Sequence, residues 1–129
     1  MAHSVVVDSP NLRIVKDLWE VLESDGLQAS LERMLEHAHE DIELRPYMAE
    51  GRVLRGVEEI RAFMQQELAE GATIQASPWS FEEVGDDVIV SGSVRIRRRD
   101  SSIADAQVRW TYTFRDGRLA AASSAPLAA

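Results

Sequence analysis

The side chains best suited to recognising a small molecule fall in one stretch, Arg109-Trp110-Thr111-Tyr112-Thr113-Phe114-Arg115-Asp116-Gly117. Large apolar and polar side chains alternate along it. On a strand this puts Val108, Trp110, Tyr112 and Phe114 on one face and Arg109, Thr111, Thr113 and Arg115 on the other. An aromatic stripe ordinarily builds core, and Phe114, nearest the Asp116-Gly117 turn, is expected there. Trp110 and Tyr112 each carry a polar group that needs a partner when buried, so they are expected in a pocket wall. Trp19, Tyr47 and Trp79 complete the expected binding set. Trp19 lies on the apolar face of a first helix, where plain core packing is the competing reading. Tyr47 follows a first strand, where a pocket mouth would lie. Trp79 neighbours Pro78 on an expected edge, where a surface or interface position is the competing reading.

Acid–base chemistry in such a pocket needs a carboxylate or imidazole whose pKa is shifted by burial. Asp41 and Glu43 oppose Ile42 and Leu44 in strand alternation, and Asp105 opposes Ala106 and Val108, so these carboxylates are expected to face outward. Glu50 and Arg52 fall in a connection near the pocket mouth. His37 and His39 are two residues apart, not the four that place two ligands on one helix face, so no metal is expected. The chain contains no glycine-rich phosphate loop, nucleophile elbow or dinucleotide fingerprint, and no cofactor is expected. No catalytic residue can be assigned on these grounds.

These residues need elements to hold them. Ser9-Pro10 is a helix start, a hydroxyl cap followed by proline in the first turn. Leu12, Val15, Leu18, Trp19 and Leu22 then recur at helical spacing until Asp25-Gly26. Leu27, Leu31, Met34 and Leu35 mark a second helix ending near residues 37–39. Residues 41–47 alternate as a short strand stopped by Pro46. Residues 47–56 form a connection with room for an extended piece. Val57, Ile60, Phe63, Met64 and Leu68 give a third helix ended by Gly71. Four strands follow: 73–84 with Pro78 at an edge or bulge, 88–97, 104–115, and 119 to about 124. Helix, helix, strand, helix and a run of antiparallel strands imply an α+β domain in which a curved sheet wraps three helices. Residues 1–129 read as one domain, with 1–8 and 125–129 expected to be flexible.

The totals narrow the partners. Among 129 residues, 22 are acidic and 14 basic, a net charge of −8 that disfavours nucleic acid and anionic membrane surfaces. There are no cysteines, which excludes disulfides, thiol catalysis and cysteine-based zinc sites. No apolar run approaches the roughly 20 residues of a membrane span. The first residues lack a signal-peptide pattern, and a cytoplasmic location is expected.

The order of elements and several local segments resemble the NTF2-like superfamily, in particular its SnoaL-like members. The segments are Leu18-Trp19 with 23–27 (ESDGL), 34–44 (MLEHAHEDIEL), 54–64 (LRGVEEIRAFM), 83–92 (EEVGDDVIVSG) and 110–119 (WTYTFRDGRL). The resemblance implies a cone-shaped α+β barrel, an apolar pocket at its wide end and frequent homodimerisation through the outer sheet face. His39-Glu40-Asp41 matches a turn segment that is usually structural in the family. Two catalytic sets of similar proteins are missing. Where ketosteroid isomerases carry an aspartate before a proline, this chain has Arg45 before Pro46. Their catalytic tyrosine corresponds to Leu18 or Trp19. Where limonene-epoxide hydrolases carry an Arg-x-Asp pair, this chain has the uncharged Val90-Ser91-Gly92-Ser93-Val94.

Two functional readings follow. In the first, the cone binds a small, largely apolar molecule, with isomerase, cyclase or hydratase chemistry as the enzymatic form. In the second, the protein is a non-catalytic dimeric binding or interaction module whose cone is filled by side chains. Arg95, Arg97, Arg109 and Arg115, with Asp41, Glu43 and Asp105, give the outer face mixed charge, and Ser91, Ser93, Thr111 and Thr113 are small enough for two sheets to approach.

Overall fold

Ser9 opens helix α1 (Pro10–Asp25) by accepting the Leu12 N–H at 3.1 Å, with Pro10 in the first turn. Gly26, at φ 97°, turns the chain directly into α2 (Leu27–Glu36). The two helices are tied where Ser30 Oγ donates to Leu18 O at 2.8 Å and Arg33 meets Asp17 at 2.7 Å. The computed structural model describes residues 8–46, 51–97 and 100–127.

The remaining elements are β1 (Ala38–Arg45), β2 (Leu54–Arg55), α3 (Val57–Ala69), β3 (Thr73–Val84), β4 (Asp87–Arg97), β5 (Ile103–Arg115) and β6 (Arg118–Pro126). The strands form one mixed sheet in the order β2-β1-β6-β5-β4-β3. It is curved and unclosed, and it wraps the three helices as an α+β cone. Neighbouring strands are antiparallel except β1 and β6, which run parallel. α1 packs against β3 and β4, while α2 and α3 cover β1. No helix is long and apolar enough to cross a membrane.

The alternation expected for β4 and β5 is present. Val88, Val90, Val94 and Ile96 are buried on one face of β4, and Val108, Tyr112 and Phe114 on one face of β5. Val90 is paired with Trp110 and Val88 with Tyr112, so the stripe of β5 lies beside the valine stripe of β4. Ile42, Leu54, Ile60 and Leu119 are fully buried where β1, β2, α3 and β6 meet. Burying each such aliphatic side chain contributes about 1.5–3 kcal/mol.

Two strands differ from expectation. β1 begins at Ala38 rather than residue 41, because the His37 carbonyl accepts the Leu119 N–H at 2.8 Å and starts the parallel pairing with β6. Its register then slips between Ala38 and Glu43. β6 runs on to Pro126, because β5 is long enough to pair Arg109 with Ala125 and Val108 with Pro126. Beyond it, the Leu127 N–H reaches Gln107 O at 2.9 Å. Asp8 pairs with Lys16 at 2.9 Å.

β3 is both an edge strand and bulged. Pro78 faces Gly92 and Ser80 faces Ser91, which leaves Trp79 between them without a partner. A Cβ at Gly92 would stand 2.5 Å from Ser77 O and 2.8 Å from Pro78 Cα. Glycine is required there by the close approach of the bulged strand.

Candidate functional site

The helices and the inner sheet face do not meet everywhere. Between them lies a cavity of about 160 Å³. α1 contributes Leu18, Trp19 and Leu22, and α2 contributes Leu27, Leu31 and Met34. Across from them stand Ile96 of β4, Trp110 and Tyr112 of β5, and Ala122 of β6. Leu44-Arg45-Pro46 and Ser123-Ser124, from the parallel pair β1 and β6, complete the wall. A dry cavity of about 150 Å³ holds one benzene ring, so this volume suits a single small ring. A wider, more polar cleft of about 640 Å³ between α1 and β3 adjoins it, sharing Trp19, Leu22, Leu27, Ile74 and Ala76.

Trp19 and Trp110 meet edge to face, with ring centroids 4.7 Å apart and planes at 69°. Trp19 Nε1 is buried without a well-formed hydrogen bond. Tyr112 is equally deep, and burial pushes its phenol far above the ordinary tyrosine range. The Trp19 N–H near the phenol oxygen offsets part of that rise without closing a bond of normal geometry. The phenol is therefore neutral at physiological pH. It can donate a hydrogen bond and does not act as a base. Ser124 Oγ donates to Arg45 O at 3.2 Å, and the Arg45 side chain is exposed, without an ion pair among the described residues.

The expected binding residues separate. Trp19, Trp110 and Tyr112 come together in the wall. Phe114 is buried in the core away from it, so the β5 stripe divides into a core end and a cavity end. Trp79 is not with them: the bulge turns it to solvent, where it is 55% exposed. Tyr47 and Glu50 lie outside the described residues. Arg52 stacks over the Phe63 ring at 5.3 Å.

The carboxylates expected to face outward do so. Asp41 pairs with Arg115 at 3.4 Å, Glu43 with Arg55 at 3.1 Å and Asp105 with Arg95 at 2.8 Å. His39 Nε2 meets the Arg115 carbonyl at 2.6 Å and pins the start of β1 to the end of β5. No group of three or more metal-ligating side chains occurs among the described residues. Arg45 before Pro46, singled out in the sequence through the family resemblance, borders the cavity. Leu44, Ser123 and Ser124 had no such signal, because the parallel pairing that brings them there is long-range.

The SnoaL-like domain model matches residues 15–122. No curated protein matches the sequence. Among solved structures, an NTF2-like protein of unknown function from Burkholderia pseudomallei is similar over 93% of this chain and 92% of its own, at 19% identity and a TM-score of 0.76. TerC, co-crystallized with polyporic acid, is similar over 92% of both chains at 22% identity and a TM-score of 0.73. An LEH-like epoxide hydrolase of M. tuberculosis is similar over 89% of this chain and 80% of its own, at 11% identity and a TM-score of 0.67. The cone, its order of elements and the match across most of the sequence place the chain in the SnoaL-like domain family, with an NTF2-like fold.

Proposed function

We propose that the protein binds a small, largely apolar molecule inside the cone. The observation that carries this reading is the 160 Å³ cavity, walled by aliphatic side chains together with Trp19, Trp110 and Tyr112. Its existence weighs against a cone filled by side chains. The similar fold of TerC, which was co-crystallized with polyporic acid, supports a small-molecule role. Among the described residues the wall has no carboxylate or imidazole, and Tyr112 is held neutral. The reading is therefore binding, without proton abstraction by those residues. Native mass spectrometry of freshly purified protein, followed by denaturation and identification of released molecules, looks for a resident ligand. Titration with ethylbenzene, followed through Trp110 and Tyr112 NMR signals, tests the cavity directly. A clean mass together with no response to ethylbenzene rejects the reading.

A second element of the proposal is a homodimer formed through the outer sheet face. Ser91, Ser93, Thr111 and Thr113 give its centre short side chains, and Ile103 is an exposed apolar residue at its margin, 53% accessible. Arg95 and Asp105 already neutralise one another there. Two copies could approach without an unpaired charge at that position. Sedimentation equilibrium should give twice the chain mass, and Thr111→Arg should return the protein to one chain. A single-chain mass for the wild type rejects the dimer.

A further inference from the structure

The cavity wall holds two adjoining polar groups that lack a complete set of partners. Trp19 Nε1 is buried with no well-formed bond, and Tyr112, 9% exposed, has its hydroxyl beside that indole. Among the described residues nothing accepts a hydrogen bond from Tyr112 Oη. Ser30 and Ser124 in the wall give their protons to Leu18 O and Arg45 O, and no hydrogen bond joins a wall serine, Ser123 included, to Tyr112. An indole N–H only donates, whereas a phenol both accepts and donates. With the indole on its accepting side, Tyr112 is left with a proton to give. Tyr112 lines the cavity and its oxygen is not sealed off as the indole nitrogen is, so the partner for that proton is expected in the space it borders.

We infer that Tyr112 Oη donates a hydrogen bond to a carbonyl oxygen of the bound molecule, and that Trp19 Nε1–H holds the phenol in position. This inference rests on the proposed binding role of the cone and specifies its ligand as a small ketone or aldehyde carried on a ring. A carbonyl accepts and requires nothing in return from a largely apolar wall. An alcohol would bring a further donor to satisfy. A carboxylate seated at the phenol would bring a charge that two neutral donors do not offset, and the cation of the wall, Arg45, has an exposed side chain.

Acetophenone and ethylbenzene differ by one carbonyl oxygen and are the probes, with the intact protein titrated by calorimetry. Tyr112→Phe removes only the phenol oxygen. It should weaken acetophenone about threefold to tenfold, the range for one neutral hydrogen bond, and leave ethylbenzene binding intact. The carbonyl stretch of bound acetophenone should lie at lower frequency in the wild type than in Tyr112→Phe. Trp19→Phe should move the stretch towards the Tyr112→Phe value while ethylbenzene still binds, a readout that loss of packing alone would not produce. If Trp19→Phe fails to fold, the Tyr112→Phe comparison still decides the role of the phenol.

Equal effects of Tyr112→Phe on the two probes, or an unchanged carbonyl stretch, would overturn the inference and assign the phenol proton to cavity water. Ethylbenzene binding without acetophenone binding would overturn it too, while leaving the cone as an apolar site. Binding of neither probe would overturn this inference, and with a clean native mass it would overturn the cone reading as well.

Discussion

Trp19 on α1 and Trp110 on β5 meet edge to face at 4.7 Å, and this contact joins helix to sheet at the cavity wall. Edge-to-face aromatic pairs contribute about 0.5–1.5 kcal/mol beyond the area they bury. The contact also fixes where the Trp19 indole N–H sits relative to Tyr112, two residues along the same strand face. Packing and polarity of the wall are thus set by the same side chains.

The division of the β5 stripe predicts a split between stability and binding. Phe114→Ala should cost about 3–5 kcal/mol, because it empties a packed core position. The folded fraction should still bind ethylbenzene normally. Tyr112→Ala should weaken that binding more, because it removes part of the wall. Urea unfolding and probe titration separate the two. Equal losses of stability with unchanged binding would sink the division.

Gly92 is a second test. A methyl group there must displace the backbone of Ser77 and Pro78. Gly92→Ala should destabilise by about 1–3 kcal/mol, the usual cost of overpacking. Amide exchange should quicken first along β3. An unfolding midpoint equal to that of the wild type would show that the bulge yields freely.

Tyr112 predicts an alkaline effect. Its phenol titrates at about 10 in an unfolded chain and well above that in the fold, chiefly through burial. Between those values the unfolded chain loses the proton and the folded chain keeps it. The contribution is complete below about pH 10 and is lost as pH rises from there towards the folded value. Tyr112→Phe should flatten the decline of the urea midpoint above that pH. An identical slope would mean that the phenol ionises as easily in the fold.

Glu32 predicts the opposite limb. The Arg61 guanidinium bonds both of its oxygens, at 2.9 and 3.1 Å, and holds its carboxyl below the usual range. A depressed carboxyl contributes above its unfolded pKa and loses that contribution as pH falls through the folded value. Glu32→Gln should therefore make acid unfolding shallower. The effect should be small and fade with salt, since Glu32 and Arg61 are 43% and 33% exposed. Matching acid limbs at low salt would contradict it.

The legible parts of the fold were those set by neighbours in sequence. Ser9-Pro10, the apolar positions of α1 to α3 and the alternation of β4 each follow from local chemistry. The meeting of Trp19, Trp110 and Tyr112 was foreseeable, because aromatic residues with polar groups sat on apolar faces. Trp79 shows where local reading stops. Its neighbour Pro78 suggested a bulge or an edge, but which way the extra residue turns depends on how Ser77 and Pro78 approach Gly92. The early start of β1 and the Ser123-Ser124 wall depend on β1 pairing with β6, which joins segments some 80 residues apart.

That pairing also governs the order in which the molecule can be assembled. β6 lies between β1 and β5, so β1 and β2 reach the rest of the sheet only through it. During synthesis, the β1–β2 ladder and the β3–β4–β5 meander have no strand joining them until residues 118–126 emerge. The helices can dock earlier, but the cavity gains its Ala122-Ser124 wall only when β6 enters. The rate of that insertion, dominated by closure of a long loop, should set how fast a newly made chain becomes able to hold a ligand.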